Sequence, residues 1–359
     1  MRSAKAKSDC FVGLDLGTSG CRAIAIDGDR QILAQARAPL PPSQHPAPGA
    51  SEQTPPDWWQ AVRETLQRLV AEQPGRIRAL SIDGTSSTLL LCDRDGIPLT
   101  PALMYDDRRA GAQARVIARA APADSPARGP GSALAKLLYL QTRLPEGMAA
   151  HAMHQADWIN GKLSGEFGRA DENNVLKLGY DPIAREWPEW MTDLPFPARL
   201  LPGVYPVGTR LGTVETEVAR ELGLADDVLL VAGTTDSNAA ALAAGLDGPG
   251  DAVTSLGSTL VLKVYSDRPL WSSKFGIYSH RIGDSWLAGG ALPSKVTRKA
   301  TSSDWDSCAM VPGVISLLRP VTAPLDVLGS AQKGPGMRGN SRNITSITGR
   351  VYSISWPAI

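Results

Sequence analysis

The chain is short of cysteine, long apolar runs, net charge and the commonest nucleotide-binding signatures. Its four cysteines, Cys10, Cys21, Cys92 and Cys308, contain no Cys-x-x-Cys pair. That excludes a zinc framework of ordinary spacing and suits a reducing compartment. Formal net charge is +1 over 359 residues, so no bulk field favours nucleic acid or an anionic membrane. No stretch approaches the ~20 uninterrupted apolar residues of a membrane-spanning helix. The start, Met1-Arg2-Ser3-Ala4-Lys5-Ala6-Lys7, leads into a short apolar run that Asp15 interrupts, unlike a secretory signal. The expectation is a cytoplasmic protein with no nucleic-acid and no membrane partner. A Walker A string is absent. Gly334-Pro335-Gly336-Met337-Arg338-Gly339 matches G-x-G-x-x-G, but no strand precedes it and Pro335 interrupts it, so it reads as chance. Asn343-Ile344-Thr345 is a glycosylation sequon that a cytoplasmic chain would not use. His151 and His154, three apart on an expected helix, read as packing rather than as a metal pair.

What is present is ordinary for a globular protein: 43% hydrophobic and 20% charged residues, with length enough for two domains. The informative string is Val12-Gly13-Leu14-Asp15-Leu16-Gly17-Thr18-Ser19-Gly20. An apolar strand ends in an acid and a tight turn of small, hydroxylated residues. Cys21 to Ile26 reads as a second strand, Asp27-Gly28 as a two-residue hairpin turn, and 31–36 as a third strand. Backbone amides at such a turn can face a phosphate, and the acid can hold a metal through water.

Downstream, residues 39–56 form a proline-rich loop, and Asp57 is expected to cap an amphipathic helix over 58–72. A strand over 77–82 ends in Asp83-Gly84-Thr85-Ser86-Ser87, the second acid-Gly-Thr-Ser turn. Residues 89–92 resume as a strand before an Asp95-Gly96 turn. Tyr105-Asp106-Asp107-Arg108-Arg109 precedes an alanine-rich helix, and 133–141 and 154–163 read as further helices. Residues 171–180 read as a loop or short helix facing a cleft. A buried strand over 228–232 runs into Gly233-Thr234-Thr235-Asp236-Ser237 and an alanine-rich helix. Residues 245–251 form a hinge or linker, and the strand–turn–strand device returns at 252–265 around Gly257-Ser258-Thr259. From 293 the periodicity is lost; 329–342 is expected to be disordered, with a strand within 344–354.

One Asp-x-Gly-Thr string is weak, since Gly-Thr turns often merely end strands. Four such turns after apolar strands place polar groups together at strand ends, where α/β folds bind ligands. At these residues the chain resembles the FGGY family of carbohydrate kinases within the actin-like ATPase superfamily. The strings that carry the likeness are 13–19, 81–87, 105–109 and 232–237, continued by Ser255-Leu256-Gly257-Ser258-Thr259 and Ala288-Gly289-Gly290-Ala291. The likeness runs from about residue 10 to about 292 and is strongest to the pentulose-kinase branch.

The resemblance implies an α/β, actin-like ATPase (ribonuclease H-like) fold of two lobes, the second incomplete. It implies a sugar- and phosphate-binding domain over 9–246, the start of an ATPase domain over 250–292, and a divergent tail over 293–359. It implies ATP and Mg2+ as cofactors, with Asp15 orienting the metal through water. Gly17, Thr18 and Ser19 would face the transferring phosphate, with Gly257, Ser258 and Thr259 as their second-lobe counterpart. Asp236 would be the general base, taking the sugar hydroxyl's proton; its bland alternative is an N-cap. Ser86, Asp106 and Asp107 would line the sugar pocket. For the two acids the alternative is a solvated helix start paired with Arg108 and Arg109. Trp58, Trp59, Trp158, Trp187 and Trp190 are candidates to stack on a sugar face or to fill core. Two lobes closing about 245–250 would exclude water.

The chain departs from the family after Ala291, where Leu292-Pro293-Ser294-Lys295 breaks the pattern. A frameshift, an early end or a gene-model error would each produce that break. Three functions follow: an ATP-dependent kinase of a small sugar, foremost D-ribulose or D-xylulose; a catalytically inactive sugar-binding homologue without a complete nucleotide site; and a non-kinase actin-like protein, against which Asp236 and the 105–109 cluster argue.

Overall fold

A computed structural model describes residues 9–72, 74–246, 248–256, 259–293 and 351–355. The expected disorder at 329–342, the Gly334 string, the Asn343 sequon and Cys308 lie outside the described residues, as do Gly257 and Ser258. The chain divides into two compact units, Met1–Ala240 with His280–Asp284, and Ala241–Ser279 with Ser285–Ile359.

In the first unit the chain runs β1 (Asp9–Leu16), β2 (Gly20–Ile26), β3 (Ile32–Pro39), β4 (Glu52–Gln53), α1 (Pro55–Ala71), β5 (Arg76–Gly84), β6 (Leu89–Cys92) and β7 (Ala102–Leu103). It continues through α2 (Gly111–Ala120), α3 (Ala133–Gln141), β8 (His151–His154), α4 (Gln155–Ser164), β9 (Arg169–Asp171), β10 (Gly203–Tyr205), β11 (Arg210–Thr213), α5 (Thr216–Leu222), β12 (Leu229–Val231) and α6 (Asp236–Ala243). A six-stranded sheet has the order β11-β12-β5-β1-β2-β3. β1, β2 and β3 form an antiparallel meander, while β5 runs parallel to β1 and β12 parallel to β5.

Alternation explains the meander. Cys10, Val12, Leu14 and Leu16 point to one face of β1 and Cys21, Ala23 and Ala25 to the same face of β2. α1 covers that face with Trp58, Val62, Leu66 and Leu69, all fully buried at helical spacing. Truncating Leu66 to alanine there would cost roughly 2–5 kcal/mol. β6, the run Leu89-Leu90-Leu91-Cys92, is buried on both faces. Leu90 and Cys92 join the core under the large sheet, and Leu89 and Leu91 join a second core with α2 and α3. The small sheet β4-β7-β6-β8 thus stands between two cores.

Three local expectations need correction. α1 starts at Pro55 with Thr54 as its N-cap, so Asp57 lies in the first turn and does not cap. Prolines at the first helical positions lose no needed N–H and carry a preset φ, which moves the start forward. The β2–β3 connection is longer than two residues: the Asp27 Oδ1 accepts from the amides of Asp29 and Gln31, both at 2.9 Å, and Arg30, not Gly28, takes the positive φ of 63°. His151 and His154 lie on strand β8, drawn there by pairing with β6. His154 is buried, its Nδ1 2.9 Å from Asp157 Oδ2 at the start of α4.

A five-stranded sheet has β13 (Ala252–Leu256), β14 (Thr259–Ser266), β15 (Tyr278–Ile282), β16 (Ser285–Pro293) and β17 (Val351–Ser355), in the order β15-β16-β14-β13-β17. β13 and β14 are antiparallel, as the strand–turn–strand reading expects. A Cβ on Gly289 would sit 1.9 Å from the Leu262 carbonyl, so that close β14–β16 pairing requires glycine. Among the described residues no helix is long and apolar enough to cross a membrane.

Candidate active site

Three parallel strands, β1, β5 and β12, end along one edge of the large sheet, and the acid turns follow from that. Asp15 stands in register with Asp83, and Leu16 with Gly84. Gly84 makes a further parallel bridge to Thr235, one residue before Asp236. The last contact needs a glycine: a Cβ on Gly233 would lie 1.9 Å from the Ile82 carbonyl oxygen.

The gathered carboxylates repel one another. Burial first, then the charges of Asp15 and Asp236, push Asp83 up to about 9. Burial also raises Asp15, while Arg22 and a hydrogen bond shared with Asp83 work against the rise. Arg22 Nη1 stands 3.5 Å from Asp15 Oδ2. The Asp15–Asp83 pair therefore holds a proton across the neutral range, as two close carboxylates cannot both ionise cheaply. Asp171, at the end of β9, is pushed up to about 7 by burial and by Asp157.

Asp236 opens α6, and its Oδ1 accepts from the amide of Ser237 at 2.6 Å. The turn before it is braced from the Asp171 segment. Asn173 Nδ2 and Asn238 Nδ2 donate to Thr234 Oγ1 at 3.0 and 3.1 Å. Asp171 Oδ1 in turn accepts from the amides of Asn173 and Asn174 at 2.9 and 3.0 Å. The 171–180 segment contains a short 3-10 helix, Asn174–Leu178, after β9. Asp83, Asp171 and Asn173 received no role from the sequence. Asp83 occupies the same kind of string as Asp15 and was legible there; Asp171 and Asn173 depend on partners about sixty residues away.

At the β1–β2 turn, Gly17 N donates to Gly20 O at 3.0 Å, Thr18 O accepts from Gln53 Nε2 at 2.8 Å, and Ser19 O accepts from Leu40 N at 2.9 Å. These bonds use the carbonyls and leave the Ser19 side chain exposed and that of Thr18 half-buried. Thr259 opens β14, while Gly257 and Ser258 lie outside the described residues.

Ser86 is half-buried within the Thr85–Thr88 turn, whose Thr85 N and Oγ1 both donate to Gln155 Oε1, at 3.0 and 2.8 Å. Asp106 is exposed and Asp107 fully buried. Asp107 accepts from the amides of Ser51 and Arg109 at 2.9 and 3.1 Å and from Arg109 Nε at 3.0 Å, and Arg109 reaches on to Glu52 at 2.6 Å. The expected acid–arginine pairing at 107–109 exists, but it is buried and holds the turn. Trp58 and Trp158 are core residues in edge contact, ring centroids 6.3 Å apart. Trp59 packs on that core from a partly buried position, and Trp187 and Trp190 likewise on the second core. Cys10, Cys21 and Cys92 are buried free thiols.

The donor set suits a hard cation. Asp83 Oδ1 is buried without a protein partner beside Asp15. Among the described residues no three His, Cys, Asp or Glu side chains gather to hold a metal directly. A magnesium ion, which keeps several waters and takes one or two carboxylates, fits that arrangement.

The profile of the FGGY family of carbohydrate kinases, N-terminal domain, matches residues 10–243. The chain belongs to the FGGY family of carbohydrate kinases. It is 27% identical to a xylulose kinase of Escherichia coli over 305 residues, 82% of this chain and 62% of that one. It is 28% identical to a glycerol kinase of Gloeobacter violaceus over 313 residues, 84% and 62% of the two chains. The crystal structure of xylulose kinase from Rhodospirillum rubrum superposes with a TM-score of 0.73 at 24% identity, covering 84% of this chain and 67% of that one. The FGGY chain described here has the α/β, actin-like ATPase (ribonuclease H-like) fold of these structures, and it spans about 60% of the length of the curated relatives it matches.

Proposed function

We propose that this FGGY protein transfers the γ-phosphate of ATP to a hydroxyl of a small sugar, a ketopentose such as D-xylulose or D-ribulose before a polyol. The observation that supports it most is the meeting of Asp15, Asp83 and Asp236 at one sheet edge, with Asp236 on a turn braced from both sides. The preference for a ketopentose leans on relatives named xylulose kinase; a glycerol kinase matches at similar identity. On this reading residues 9–246 form the sugar- and phosphate-binding domain, and residues 250–292 begin an ATPase domain.

Asp236 accepts the proton of the sugar hydroxyl as its oxygen forms a bond to the γ-phosphorus. The bond from that phosphorus to the bridging oxygen breaks, and ADP leaves. Such transfer is loose and needs alignment more than covalent help. Asp15, with Asp83 beside it, would hold hydrated magnesium, whose charge offsets that of the phosphates when bound. Gly17, Thr18 and Ser19 would face the transferring group, and Gly257, Ser258 and Thr259 would be a second phosphate-binding turn. Ser86 and Asp106 offer a hydroxyl and an exposed carboxylate to the sugar, and Asp107 fixes the turn that carries Asp106.

The test is a coupled ADP-release assay on the full chain with Mg2+-ATP and D-xylulose, D-ribulose, L-ribulose and glycerol. Asp236→Ala should lower sugar-dependent turnover by roughly 10²–10⁴-fold or more. Folded protein without sugar-dependent turnover would reject the kinase reading; sugar binding by calorimetry would then leave a binding protein.

A further inference from the structure

Lysine is almost never fully buried without a partner. Lys136 is 0% exposed in α3, within the apolar run Ala133-Leu134-Ala135-Lys136-Leu137-Leu138. Helical spacing there calls for an aliphatic residue. The lysine instead sends its Nζ to two backbone carbonyls on separate turns, Ser87 O at 2.8 Å and Met104 O at 2.7 Å.

Both turns need holding. Ser87 adopts a positive φ of 67°, which L-residues avoid, and its buried Oγ has no partner. Its neighbour Ser86 is thereby aimed by a backbone that is not at rest. Met104 O also accepts from Asp107 N at 3.0 Å, and Met104 N donates to Ser51 O at 2.9 Å. Met104 thus anchors the segment that presents Asp106.

We propose that Lys136 is the positioning residue of the sugar subsite, clamping the Ser86–Ser87 turn to the turn that carries Asp106. This rests on the kinase reading above. Burial draws Lys136 down to about 7, with Asp107 pulling the other way. A neutral amine still donates two hydrogen bonds, so the clamp acts on either side of that pH.

Lys136→Met keeps the length of the side chain and removes both donated bonds. Lys136→Gln keeps one donor and serves where the methionine variant fails to fold. Full-length proteins would be titrated calorimetrically with D-xylulose, D-ribulose and glycerol, and separately with Mg2+-ATP. Amide hydrogen exchange would be followed at 85–88 and 104–107. Loosened turns should weaken sugar binding, or raise sugar KM, by roughly 10–100-fold in Lys136→Met, since ångström-scale misplacement costs that much. Nucleotide affinity should stay within about twofold, and Lys136→Gln should fall between. Equal sugar affinity in wild type and variants overturns the role of Lys136 while leaving the kinase reading standing. A parallel loss of sugar and nucleotide binding overturns it as well, marking a general structural defect. Wild-type protein that binds none of the sugars sinks the kinase reading and this role together.

Discussion

Replacing Asp83 with asparagine should flatten the dependence of stability on pH. Asp83 has an ordinary value of 3.8 and is raised to about 9 in the folded protein. Between those values the folded chain keeps a proton that the unfolded chain has released. The unfolded state binds fewer protons, so stability falls as pH rises through the window. The slope follows from one proton, not from the exact folded value: about 1.4 kcal/mol per pH unit. From pH 5.5 to 7.5 wild type should lose about 2.7 kcal/mol that Asp83→Asn does not. Asparagine can still donate to Asp15, as the protonated acid does, and it removes the repulsion from Asp15 and Asp236.

The assay is thermal or urea unfolding in metal-free buffer with chelator, read by tryptophan fluorescence. Trp58 and Trp158 report the core under the large sheet directly. At roughly 2–4 °C per kcal/mol for a unit of this size, the two melting curves should diverge by about 5–10 °C across the window. Asp171, raised to about 7, gives a slope of the same sign, but it is present in both proteins and cancels. Parallel profiles for wild type and Asp83→Asn would refute the shared proton. So would a variant that loses stability faster than wild type as pH rises.

Gly233→Ala should destabilise the first unit by about 1–3 kcal/mol or more, because its Cβ would lie 1.9 Å from the Ile82 oxygen and force β5 and β12 apart; an unchanged urea midpoint would contradict the close approach. Arg109→Met should cost about 3–5 kcal/mol by leaving buried Asp107 without its cation. Chemical denaturation measures this, and recovery in Arg109→Met combined with Asp107→Asn would confirm the pair. Asp236→Ala should spare the melting temperature to within a few degrees while abolishing most turnover, since the carboxylate accepts from the amide of Ser237 beside it, a local bond. Equal loss of fold and activity would mark it as a cap alone.

How far the sequence reveals this architecture depends on the range of the forces involved. The β1–β2–β3 meander was legible because alternation along a half-buried strand is local. α3 was read to its observed bounds, 133–141, because Ser132 caps it within its own turn, accepting from Ala135 N at 3.1 Å. The errors were also local competitions. Thr54, with no capping bond from its side chain, occupies the N-cap position instead of Asp57 because two prolines pre-set the first turn. Asp27 captured two amides and converted a two-residue hairpin into a longer loop. The strand at 151–154 exists because β6 offers it a pairing edge, which no window over 151–164 contains.

The candidate site divides along the same line. Its acid turns stand in the string because an acid, a glycine and small hydroxyl residues must be consecutive to turn tightly at a strand end. That Asp15 meets Asp83, and Gly84 meets Thr235, is settled by register between strands far apart in sequence. The braces are more distant still: Asn173 reaches Thr234, and Lys136 reaches Ser87 and Met104. Lys136 nonetheless left a trace. A charged residue inside a helical stripe that packing would fill with leucine carries a desolvation cost. A folded protein retains that cost only where partners elsewhere in the chain offset it. The anomaly therefore told that a long-range contact existed, and only the fold told with what.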